Sequence, residues 1–217
     1  MRRLIAILTV LFACLLGLPG TASAVPVPIG GGSVLFNPFG SAGTRCTVAF
    51  AAADSSREYL IAGPGCGTGF STQLYSGNNV LVGPVVGNAN GGYVVVAVTN
   101  TAAWDVVGWI NAGGRHPIAG SRETPIGGRV CLLSNTAGIT CGTVTAKNVT
   151  INYPGGTITG LTRTNICPQP RSIAFVTGDQ AQGVPFGGSG ICTTGGSSYF
   201  FPVNRILAAY GLRLLTG

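Results

Sequence analysis

Residues 167–192 read CPQPRSIAFVTGDQAQGVPFGGSGIC, and residues 193–212 continue TTGGSSYFFPVNRILAAYGL. Two cysteines fence a stretch in which short apolar, β-branched or aromatic runs are broken by glycine clusters. Such clusters punctuate strands and turns. The continuation ends on the one good helical pattern in the chain. Pro202 suits a first turn, Val203, Ile206, Leu207 and Tyr210 share a face, and Gly211 suits a cap.

The same texture extends towards the N-terminus. Strands are expected at 129–133, 141–144, 148–153 and 157–162, with Asn135, Gly138, Pro154 and Gly155-Gly156 at the turns. Further back, strands are expected at 33–36, 46–50, 58–62, 73–75 and 80–83, with turns at 54–57 and 77–79. Residues 93–98 form a nearly continuous apolar run, which suits a strand buried on both faces. Residues 112–126 carry little apolar content and read as a linker. The 36 glycines, 46% hydrophobic residues and 8% charged residues of the 217-residue chain fit an all-β sandwich or barrel. Low charge does not mean disorder here, because apolar content is high and cysteines are abundant.

Residues 1–24 read as a signal peptide. Arg2 and Arg3 form a positive start, 4–18 an apolar run too short for a membrane span, and Ala22-Ser23-Ala24 a small-residue cleavage site. The mature chain is expected to begin at Val25 and to keep no membrane span. Removing Arg2 and Arg3 leaves ten basic and five acidic residues, a net charge of +5. The basic residues are scattered and not interleaved with aromatics, which argues against nucleic-acid binding.

Six cysteines follow the signal: Cys46, Cys66, Cys131, Cys141, Cys167 and Cys192. An even count in an exported chain implies disulfides and leaves the connectivity open. Sequence neighbours suggest the pairs 46–66, 131–141 and 167–192. A metal site is the poorer reading, because the chain has no C-x-x-C and His116 is its single histidine. No metal or other cofactor is expected.

With the preceding residues 141–167, CGTVTAKNVTINYPGGTITGLTRTNIC, the quoted tail resembles the bacterial chymotrypsin-like serine proteases of the streptogrisin and α-lytic type. The resemblance covers nearly the whole mature chain and is most specific from 127 to 212. It implies two six-stranded antiparallel β-barrels with a C-terminal α-helix: a first barrel at 25–111, the linker at 112–126, and a second barrel with the helix at 127–217. It implies the neighbour pairing of the disulfides, and a substrate cleft between the barrels.

Serine-dependent acyl transfer needs a nucleophile, a base, a carboxylate to orient the base, and backbone donors for the oxyanion. In the family the base sits in T-A-G-H-C, but Ile61-Ala62-Gly63-Pro64-Gly65-Cys66 stands in that place, so the base position falls at Gly65. The family carboxylate precedes a buried strand in N-D-Y, and Asn90-Gly91-Gly92-Tyr93 puts Gly92 there. The nucleophile belongs to G-D-S-G-G, but Pro170-Arg171-Ser172-Ile173-Ala174 occupies the matching place in a loop about two residues short. Ser172 lacks the flanking glycines and reads as an ordinary loop hydroxyl. His116 lies in the linker, far in sequence from the base position. Asp105 reads as a surface turn residue, and Asp54 and Glu58 share one turn without forming a catalytic pair.

The family's wall for an extended peptide has a counterpart in Phe186, Gly187, Gly188, Ser189 and Gly190. Pro185 removes one N–H from that strand, and Gly188→Trp is expected to fill the cleft. Phe186 and Tyr199 suit core packing as well as apolar contact with a ligand. The expected function is that of a secreted or cell-envelope pseudo-protease, a monomer that binds an extended peptide or protein and catalyses nothing. No long propeptide of the kind that active relatives often carry is expected, since only about twenty residues separate Ala24 from the first cysteine strand, which fits a protein with no activity to restrain. Two alternatives stand beside this reading: an active serine endopeptidase with a displaced site, and a disulfide-stapled cell-envelope interaction protein.

Overall fold

The computed structural model describes residues 25–39, 44–66, 69–89, 92–153 and 156–217. The signal peptide reading at 1–24 lies outside the described residues, as do Asn90, Gly91, Pro154 and Gly155.

The first barrel opens with β1 (Val27–Gly31), β2 (Val34–Phe36), β3 (Arg45–Ala53) and β4 (Glu58–Ala62). It continues with β5 (Gln73–Ser76), β6 (Leu81–Asn88) and β7 (Val94–Ala97). Six of these strands run in the order β3-β2-β5-β6-β7-β4, and pairing of β3 with β4 closes the ring. The two-sided burial expected of 93–98 has a direct cause. Val94, Val96 and Val98 join Leu60 and Ala62 inside the ring. Tyr93 and Val95 point the other way, with Ile61, into a cluster shared with the second barrel. Side chains alternate along a strand, so a strand between two cores must be apolar on both faces.

Two further strands stand outside the ring. β8 (Trp104–Asn111) pairs in parallel with β1 and antiparallel with β9 (Arg115–His116). Asp105, expected in a turn, therefore lies in a strand opposite Pro28. Its turn-like surroundings in the sequence are overridden by a pairing with a strand far away in the chain.

The second barrel consists of β10 (Arg129–Ser134), β11 (Gly138–Tyr153), β12 (Gly156–Thr164), β13 (Ser172–Thr177), β14 (Gln180–Ile191) and β15 (Gly195–Pro202). It closes in the order β10-β11-β12-β15-β14-β13 around Val130, Leu132, Val144, Ile166, Phe175 and Phe200. The strands expected at 141–144 and 148–153 are one, β11. Asn148 has φ 55° and the register slips between Ala146 and Val149, so a bulge bends the strand without ending it.

The helix α1 (Val203–Tyr210) follows Pro202 and buries Val203, Ile206 and Leu207 against the shared cluster. Gly211, at φ 62°, caps it in the left-handed region. The chain then returns to the first barrel, where β16 (Arg213–Leu214) pairs with Ala52 and Ala53. Ile118, buried within the connecting segment, exchanges two backbone hydrogen bonds with Gly217, at 3.1 and 3.0 Å.

The disulfides are Cys46–Cys66, Cys131–Cys141 and Cys167–Cys192, as the neighbour pairing predicts. Cys131 and Cys141 are register partners across β10 and β11. With sequence separations of 10 to 25, each contributes about 2.5–3.5 kcal/mol in the chain-entropy model.

Candidate binding cleft

A cleft of about 470 Å³ opens between the barrels. The first barrel contributes Arg45, Thr47, Gly63 and Pro64 to its lining, and the second contributes Arg171, Ser172, Pro185, Phe186, Gly187 and Tyr199. This volume is within the usual range for ligand sites, and such sites favour domain junctions.

The stretch after β4 forms one rim. The Gly63 N–H donates to the Thr47 carbonyl at 3.0 Å, and Cys66 is tied to Cys46. Gly65 has φ 114°, and a Cβ there would run into the Arg45 carbonyl. The backbone at this place therefore has no room for a histidine side chain without rearrangement.

Gly92 is buried and outside the cleft lining, and a Cβ at this position would meet the ring of Phe201. Phe201 belongs to an aromatic chain. It packs edge-on against Tyr93 at 5.1 Å and Phe186 at 5.7 Å, and Phe186 packs against Tyr153 at 5.8 Å. Burial, then the neighbouring Tyr210, pushes the Tyr93 hydroxyl well above the ordinary tyrosine range. The surroundings of residue 92 are thus hydrocarbon-rich and disfavour a negative charge.

Ser172 begins β13. Its hydroxyl donates to the Gln169 carbonyl at 2.7 Å. The preceding Pro170 carbonyl accepts from the Ser134 hydroxyl at 2.7 Å and the Thr136 hydroxyl at 3.2 Å. These bonds clamp the turn, and Gln169 adds bonds from its amide to both Cys167 and Cys192 sulfurs. Arg171 sits in the clamped turn with φ 49°, a left-handed conformation that costs a non-glycine residue on the order of 1–2 kcal/mol.

Among the described residues, the cleft lining contains no histidine, aspartate or glutamate. His116 pairs with Ile110 in the β8–β9 ladder and is not part of the lining. Asp54 accepts hydrogen bonds from the Tyr59 hydroxyl at 2.6 Å and the Ser56 and Arg57 N–H groups at 2.6 and 2.8 Å. It organises the β3–β4 turn, and Glu58 beside it pairs with Ala53 in the ladder.

Of the five wall residues expected from sequence, Phe186 and Gly187 line the cleft. Gly188, Ser189 and Gly190 continue β14 opposite Ser198, Ser197 and Gly196, outside that lining. Gly188 is outside the cleft lining, and a side chain there would meet the Ser197 carbonyl and the Pro168 ring. Gly187 is the position with open space around it. Phe186 and Tyr199 serve both uses, lining the cleft and packing against the shared core. β13 pairs with β14 only as far as Gly183, so the edge of Pro185–Gly187 away from β15 has no strand partner among the described residues. Sequence reasoning missed Arg45 and Arg171 as cleft residues. The available signal was a bulky cation just before Ser172, in the place of the family's aspartate.

Two antiparallel barrels with a cleft at their junction define the chymotrypsin-like class. The chain belongs to the streptogrisin and α-lytic type of serine protease family. It is 32% identical over 177 residues to Serine protease 2 of Streptomyces fradiae, covering 78% of this chain and 100% of that protein. Streptogrisin-C of Streptomyces griseus is 36% identical over 176 residues, 79% of this chain, though this covers only 38% of streptogrisin-C. Among solved structures, Thermobifida fusca Protease A superposes with a TM-score of 0.74 at 34% identity, covering 88% of this chain and 100% of that one. An α-lytic protease homologue, N4, gives 0.73 at 37% identity, covering 86% and 98%. No family model matches the chain.

Proposed function

We propose that this chain is an exported, catalytically silent member of the family that binds an extended peptide in the inter-barrel cleft. The carrying observation is the state of the three family positions. Gly65 offers no base, the Phe201 ring fills the space beside Gly92, and the Ser172 hydroxyl donates its hydrogen bond to the Gln169 carbonyl. A serine hydroxyl with no neighbouring base is a poor nucleophile near neutral pH. The free edge at Pro185–Gly187 supports peptide binding, because an extended chain can add to it by backbone hydrogen bonds. Incubation with a fluorophosphonate probe is expected to leave the protein unlabelled and casein intact. Stoichiometric labelling of any serine would overturn the catalytic part of the reading and favour a displaced active site.

Export rests on the Arg2-Arg3 start, the Ala22-Ser23-Ala24 site and the three disulfides. Protein recovered from the medium or envelope is expected to begin at Val25 and to show no free thiol. An intact Met1, or thiols reactive towards iodoacetamide without reduction, counts against it.

A further inference from the structure

We infer that the cleft selects an acidic peptide, with Arg45 and Arg171 reaching a carboxylate from the two barrels. The inference rests on the peptide-binding reading above and adds the ligand's chemistry. Both arginines are exposed and both line the cleft. Among the described residues the ion pair is Lys147–Glu123, at 2.9 Å, so neither guanidinium has a protein carboxylate. Arg45 lies over the Phe36 ring, 6.0 Å from its centroid, a contact that occupies no hydrogen-bond donor of the guanidinium. Among the described residues the lining carries positive side chains and no acid, and a guanidinium fork matches a carboxylate in two parallel hydrogen bonds.

The backbone supplies an independent reason. Arg171 holds a left-handed conformation in a turn pinned through the Pro170 carbonyl and the Ser172 hydroxyl. Glycine adopts that conformation without strain, so a long cation kept there at a cost points to use of its side chain. The free edge at Pro185–Gly187 aligns the peptide, and the two arginines read its charge.

The test is calorimetric titration of the purified protein with three acetylated, amidated peptides, Ala-Ala-Pro-Xaa-Ala-Ala with Xaa as Glu, Gln or Lys. The Glu peptide is expected to bind about tenfold or more tightly than the Gln peptide, to weaken with salt, and to exceed the Lys peptide further. Arg171→Gln and Arg45→Gln are each expected to erase the preference for Glu. Arg171→Gly is expected to erase it while leaving the melting temperature at or above that of the parent, because it relieves the backbone. Equal binding of Glu and Gln peptides, both abolished by Gly187→Trp, overturns the charge selection and leaves the peptide cleft standing. If none of the peptides binds, the cleft reading falls as well. If heparin alone binds, the basic surface serves polyanions and both readings are wrong.

Discussion

The wall of the cleft and the aromatic floor of the shared core differ in what they are made of. The wall, at Pro185–Gly187, offers backbone: a strand edge, and at Gly187 open space. The floor, around Gly92 and outside the cleft lining apart from Phe186, is built from side chains, and Phe201, Phe186 and Tyr93 pack it with aromatic rings. Backbone hydrogen-bonding groups survive almost any substitution, whereas a proton relay depends on particular side chains at particular places. On the function proposed above, packing has taken the place of the relay, and the fold would lose chemistry and keep a groove.

The largest expected effect tests the floor. Phe201 is buried and contacts both Tyr93 and Phe186. Phe201→Ala is expected to destabilise by about 3–5 kcal/mol, the usual cost of emptying an aromatic site in a core. Urea denaturation measures it. A loss under about 1 kcal/mol would mean the floor is loosely packed and the contrast with the wall is overstated.

Two neighbouring glycines of the wall give a smaller and sharper comparison. Gly188→Trp drives a ring into the Ser197 carbonyl and Pro168 and is expected to cost about 1–3 kcal/mol or more. Gly187→Trp enters open space, is expected to change stability by no more than about 0.5 kcal/mol, and blocks peptide binding. Circular dichroism on thermal melting separates the two. If Gly187→Trp folds and binds peptide like the parent, the wall is not the binding surface.

Much of this architecture is legible in the sequence. The run after the 54–57 turn marks β4, the nearly continuous apolar run at 93–98 marks β7, Pro202 and Gly211 bracket α1, and neighbouring cysteines pair. Features set by long-range pairing are not legible. The parallel β1–β8 ladder and the return of β16 to Ala52–Ala53 leave no local pattern, because each depends on a partner far away in the chain. Asp105 misleads for the same reason. At the cleft, Gly65, Gly92 and Ser172 stand out because they interrupt quoted motifs. Phe201 as the occupant of the space beside Gly92 requires coordinates, since nothing in SSYFFPV (197–203) says which phenylalanine turns towards β7. Arg45 and Arg171 are isolated charges about 125 residues apart, and only the closing of the barrels brings them to one cavity.

The smallest effect concerns a carboxylate that the fold does keep in a polar setting, at the β3–β4 turn and outside the cleft lining. The Tyr59 hydroxyl, the Ser56 and Arg57 N–H groups and the Ser56 hydroxyl all stabilise ionised Asp54, holding its carboxyl well below the ordinary range. Its folded value is lower than its unfolded one, so on acidification the unfolded chain takes up the proton first. The contribution of Asp54 is thus complete above the ordinary carboxylate value of about 3.9 and drains away as pH falls below it towards the folded value. Asp54→Asn keeps an acceptor for the turn but cannot titrate. Its urea midpoint is expected to fall less than the parent's between neutral and acidic pH, and the two curves should converge in acid. Parallel curves would show that the turn's hydrogen bonds do not distinguish the charged group. A second acid-dependent step persisting in the variant, and abolished by substitution of a cleft residue, would reveal a titrating group in a cleft whose described lining holds no acid or histidine.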